Sequence, residues 1–98
     1  MRVTAVVPTL DEVTRLEACL DALVAAGVDE VVVSDGGSRD GTVELARRLG
    51  CRVVVGRSGR ALQCNRGALA ADGDVLWFVH ADVRVPVTGA QAVRAALS

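Results

Sequence analysis

Lysine is missing from this chain: all eleven of its basic residues are arginine. We read that mainly as coding bias, with room for phosphate recognition by planar guanidinium forks. An excess of basic charge is missing too, since twelve acids leave a net charge of −1. That excludes a basic footprint for nucleic acid and a polybasic membrane patch. Cysteine is scarce, with Cys19, Cys51 and Cys64 far apart, odd in number and without a C-x-x-C. Neither a disulfide framework nor a zinc site is expected, and reduced, buried thiols are. The start, MRVTAVVPTLDE, has one Arg, a short apolar run and then Pro8 and two acids, which is a strand rather than a signal peptide. The longest apolar run, Val75 to Val79, is too short to span a bilayer. A soluble, cytoplasmic protein with no transmembrane segment is the expectation. Repeats, linkers and low-complexity tracts are also lacking. The 98 residues, 51% of them apolar, suit one small domain with a real core.

What is present is an alternation of strand-length apolar runs with helix-period segments. Strands are expected at about Val3 to Val7, Glu30 to Ser34, Arg52 to Val55 and Asp74 to Val79, the last being the most apolar. A first helix is expected from Glu12 to Ala26, with Val13, Leu16, Leu20, Leu23 and Val24 on one face and Gly27 as its stop. A second begins near Asp40 as N-cap, turns Val43, Ala46 and Leu49 inward and stops at Gly50. A third spans Ala61 to Ala71, and a fourth Gly89 to Leu97. Such alternation implies right-handed crossovers and a parallel sheet of about four strands in the order 3-2-1-4, with helices on both faces. This is an α/β, half-Rossmann domain covering residues 1–98.

In such sheets ligands lie at the carboxyl ends of the strands, near the point where strand order reverses. The polar clusters of this sequence fall there: Thr9 to Glu12, Asp35 to Asp40, Arg57 to Arg60, and His80 to Asp82. The stretch VVVSDGGSRDGT contains neither a phosphate-loop motif nor the dinucleotide fingerprint. Asp35 is either a carboxylate that accepts hydrogen bonds from a ligand or an ordinary turn acid. Asp40 reads as a helix cap. His80 and Asp82, two apart on extended chain, point the same way and can reach one divalent cation, or His80 is a hydrogen-bonded structural residue. Arg57, Arg60 and Arg66 can pair with diphosphate oxygens, the alternative for Arg66 being a solvated helix face. Asn65 reads as an inward-facing structural amide.

Four motifs occur in order: VVPTLDE at Val6–Glu12, SDGGSRDGT at Ser34–Thr42, GRALQCNRGA at Gly59–Ala68 and GDVLWFVHAD at Gly73–Asp82. Together they resemble the family 2 glycosyltransferases of GT-A fold, over nearly the whole chain. The closest subgroup carries H-A-D where most relatives carry D-x-D, and its members often lie beside radical-SAM and selenium-associated genes. The resemblance implies an inverting, metal-dependent transfer of a sugar from a UDP- or GDP-sugar donor. It places Pro8, Thr9 and Glu12 along the base and ribose, Asp35 at the base edge and Arg60 near base and diphosphate. It makes Asp82 the acid for a divalent metal (Mn²⁺ or Mg²⁺), with His80 beside it in place of the usual first acid.

Family members continue into an acceptor-binding half that carries the catalytic base, and no acid follows Asp82 here. The expectation is therefore a donor-binding half only. The alternative is a non-catalytic nucleotide or nucleotide-sugar binding module that needs a partner chain for the acceptor site. With no second half beside it, strand 75–79 is an exposed apolar edge, and a homo-oligomer or a partner chain is expected to cover it.

Overall fold

The computed structural model describes residues 1–81. Asp82 and the helix expected at Gly89 to Leu97 lie outside the described residues. The elements run β1 (Val3–Thr9), α1 (Val13–Ala25), β2 (Glu30–Asp35), α2 (Thr42–Arg48), β3 (Arg52–Val55), α3 (Arg60–Ala70) and β4 (Val75–Phe78). All neighbouring strands are parallel, and the order is β3-β2-β1-β4, as expected from the alternation of strands and helices.

Successive residues of a strand face opposite sides. On one face Ala5, Val7 and Val33 meet Leu16, Cys19, Leu20 and Leu23 of α1 and Ala46 of α2 in one apolar cluster. Leu16 and Leu23 are fully buried, worth roughly 1.5–3 kcal/mol each relative to exposure. On the other face α3 lies against Val6 and Ser34 through Gly67. A Cβ at Gly67 would fall 2.4 Å from Val6 Cγ1, so only glycine lets this helix approach so closely.

Several expectations need correction. Val24 is 69% exposed rather than inward, because Cys19 occupies the covered side of α1. Leu49 is partly exposed, and Leu45 packs on the core instead. Asn65 is exposed, since the inward positions of α3 are Gln63 and Gly67, one turn apart. Strand β4 agrees with its expectation as an apolar edge: it lies at one end of the sheet, half-buried, with Phe78 48% exposed. None of the three cysteines is in a disulfide; Cys19 is buried, while Cys51 and Cys64 are half-buried. Burial pushes the Cys51 thiol up from its ordinary value. Among the described residues, no helix is long and apolar enough to cross a membrane.

Candidate functional site

Register sets the site. Thr9 pairs with Asp35 and Asp35 with Val55, so the ends of β1, β2 and β3 come level at one edge of the sheet. There a cleft of about 190 Å³ is lined by Pro8, Thr9, Leu10, Glu12, Arg60, Gln63 and His80. Pro8, Thr9, Glu12, Arg60 and His80 thus share one cavity although they come from three separate segments of the chain. Glu12, just before α1, pairs with Arg15 in the first turn of that helix at 3.3 Å.

Asp35 sits one layer behind this wall and is completely buried. Its Oδ1 accepts from the Thr9 hydroxyl at 2.7 Å and the Ser38 hydroxyl at 2.6 Å. Its Oδ2 accepts from the Gly37 and Ser38 amides at 2.8 and 2.7 Å. Burial pushes this carboxyl up, but the bonds from Ser38, Thr9 and Gly37 outweigh it and hold the group below the usual carboxylate value. A carboxylate has about four acceptor sites, and all four are filled by its own loop and Thr9.

The same loop is joined to the β1–α1 loop. Asp11, in the left-handed conformation at φ 54°, donates its N–H to Ser38 Oγ at 2.8 Å and accepts from the Arg39 N–H at 2.8 Å. Glu12 donates its N–H to Thr42 Oγ1 at 3.0 Å. Asp40 is not the N-cap residue of α2, a place that Gly41 takes at φ 92°. Its carboxylate instead accepts from the first amides of two helices, Thr42 of α2 at 3.0 Å and Val13 of α1 at 3.1 Å. It therefore satisfies orphan donors at both helix starts. The Thr42 hydroxyl also bonds Asp40, and these bonds hold its carboxyl below the ordinary value.

Arg60 opens α3, and its Nη2 donates to His80 Nε2 at 2.8 Å. A guanidinium cannot accept, so this contact needs a neutral imidazole with its proton on Nδ1. The ring nitrogen aimed at the cleft is thereby occupied by a cation. No cluster of three or more His, Cys, Asp or Glu able to hold a metal occurs among the described residues. Arg66 is not on a solvated face: its guanidinium folds over Gly56, Nη2 donates to the Arg57 carbonyl at 3.1 Å, and Nη1 is buried.

Sequence reasoning missed Gln63. It is buried, and its side chain joins the ends of β1 and β2 to the start of α3. The available signal was a long polar residue one turn before Gly67, on the face that the glycine turns to the sheet.

A parallel half-sheet with a polar cleft at its switch point is the arrangement in which open, doubly wound α/β proteins take their ligands. Residues 4–91 match the family model for glycosyl transferase family 2, and the chain belongs to that family. It is 37% identical over 86 residues to the PGL/p-HBAD biosynthesis glycosyltransferase of Mycobacterium tuberculosis, covering 79% of this chain and 34% of the relative. Glucosyl-3-phosphoglycerate synthase of the same species is 32% identical over 96 residues, covering 86% of this chain and 30% of the synthase. A crystal structure of that synthase in complex with Mn²⁺, UDP and glucosyl-3-phosphoglycerate superposes with a TM-score of 0.73 at 30% identity, over 83% of this chain and 33% of the synthase chain. TarS 1-349 of S. aureus in complex with UDP, at 23% identity and a TM-score of 0.80 over 97% of this chain and 31% of that one, shares the fold. The chain thus spans about a third of the length of the relatives it matches.

Proposed function

We propose that residues 1–98 form the donor-binding domain of an inverting, metal-dependent transferase that takes its sugar from a UDP-sugar. The observation that carries this reading is the gathering of Pro8, Thr9, Glu12, Arg60 and His80 around one cleft at the carboxyl ends of parallel strands. Pro8 and Leu10 offer an apolar wall for a base, and Glu12 a carboxylate for ribose hydroxyls. Arg60 stands in the first turn of α3, where no side-chain hydrogen bond caps the helix, so its charge and the positive helix end favour diphosphate together. Uridine is preferred to guanosine because the glucosyl-3-phosphoglycerate synthase, 30% identical, has been crystallised with UDP.

Asp35 enters this reading as a builder of the wall, since its acceptor sites are filled. His80 and Asp82 would hold the divalent ion, in the H-A-D subgroup arrangement, with His80 Nε2 first released by Arg60. When bound, such an ion offsets the charge of the departing diphosphate. Among the described residues the one acid lining the cleft is Glu12, which Arg15 engages, so the base that takes the acceptor's proton is expected from a second half. That same observation favours, as a second reading, a binding module that holds the nucleotide and transfers nothing by itself.

Calorimetric titration of the chain with UDP and GDP, with and without Mn²⁺, tests the proposal. Mn²⁺-dependent UDP binding, lost in Asp82→Ala, is expected. A folded chain that binds neither nucleotide would overturn it. Turnover of a UDP-sugar by this chain would reject the second reading.

A further inference from the structure

Gln63 is buried in a helix whose other buried position is Gly67. Its Oε1 accepts from the Gly59 amide at 3.0 Å. Its Nε2 donates to the Thr9 carbonyl at 2.8 Å and to the Ser34 carbonyl at 3.0 Å. One amide thereby ties the ends of β1 and β2 to the start of α3, and it also lines the cleft. The Thr9 carbonyl takes a second bond, from the Gly36 amide at 3.0 Å, so both of its lone pairs are engaged.

Gly36 is matched to this arrangement. A Cβ there would lie 2.8 Å from Gln63 Oε1, 2.9 Å from its Cδ and 2.9 Å from Ser58 Cα. Its φ is outside the positive range, so space rather than backbone freedom calls for glycine. A glutamate at 63 would have the same shape but, ionised, could donate to neither carbonyl.

We propose that Gln63 is a positioning residue of the cleft: holding the Thr9 and Ser34 carbonyls against the start of α3, it fixes the Pro8–Glu12 wall on which the nucleotide base lies. It touches no reacting atom and acts through Thr9. The inference rests on the reading of the cleft as a donor-nucleotide site.

The test is UDP titration, with Mn²⁺, of wild type, Gln63→Glu and Gly36→Ala, each first shown to be folded by circular dichroism. Backbone amide spectra of the ligand-free proteins are recorded in parallel. Loss of these bonds is expected to weaken UDP binding about tenfold or more in Gln63→Glu, and by a smaller factor in Gly36→Ala. Thr9, Leu10 and Glu12 amides should shift before ligand is added, whereas those of Leu20 and Leu23 in α1 should not. If Gln63→Glu fails to fold, Gly36→Ala decides alone. Wild-type affinity in the folded variants overturns the inference and leaves the donor reading standing. So does weaker binding with unmoved wall amides, which would make Gln63 merely structural. If wild type itself does not bind UDP, the donor reading falls and the role of Gln63 falls with it.

Discussion

Replacing Asp35 by asparagine keeps the shape of the side chain and removes its charge. The amide oxygen can still take the Gly37 and Ser38 N–H bonds, now as neutral rather than charge-assisted contacts. Bonds to charged groups contribute about 1.5–3 kcal/mol and neutral ones about 0.5–1.5, so this pair loses roughly 2 kcal/mol. The new NH₂ then faces the Thr9 and Ser38 hydroxyls, which must turn to accept it. Ser38 Oγ already accepts from the Asp11 amide, and its own proton loses its acceptor, adding about 1 kcal/mol. A total near 3 kcal/mol is a large share of a small domain's stability and lowers the melting temperature by roughly 12–24 °C. Thermal and urea unfolding followed by far-UV circular dichroism measures it. A pH series adds a second check. The folded-state pKa of Asp35 lies below its ordinary 3.8, so its stabilisation is fully present above that value and is lost as pH falls through the lower folded-state value. The gap between wild type and variant should hold from neutral pH to about pH 5 and close under stronger acid. A gap under about 0.5 kcal/mol at neutral pH, the size of an ordinary surface change, refutes the reasoning; so does one that widens on acidification.

Two further outcomes follow from the contacts around the cleft. Gly67→Ala puts a Cβ against Val6 and should cost about 1–3 kcal/mol by overpacking, read as a lower urea midpoint with an unchanged slope; an unchanged midpoint would mean that α3 can drift outward without loss. Arg60→Ala removes the exposed cation from the cleft, and UDP affinity should fall about tenfold, while stability changes by less than about 0.5 kcal/mol. Calorimetry on the melted and refolded variant separates the two quantities, and undiminished affinity would place the diphosphate elsewhere.

The framework was legible because strand period, helix period and glycine stops each fall where steric rules put them. Four apolar runs with polar clusters after them are enough to name a parallel sheet and its loaded edge. Hydrogen-bond saturation was not legible. Whether Asp35 offers lone pairs to a ligand or spends them on Ser38, Thr9 and Gly37 depends on loop geometry that no pattern of residue types encodes. Gln63 escaped for a related reason. Pattern reading looks for apolar residues on the buried face, and α3 buries a glutamine and a glycine there. Val24 shows the opposite failure: the apolar stripe of α1 is wider than the strip of sheet available to cover it.

The bonds between the β1–α1 and β2–α2 loops carry a consequence for heredity. Each of Asp11, Ser38, Asp40 and Thr42 finds a partner in the other loop. Neither loop can be lengthened, shortened or replaced alone without stranding donors in both. In shuffling or grafting members of this family, residues 9–13 and 35–42 form a single unit of exchange, although 21 residues of sequence separate them.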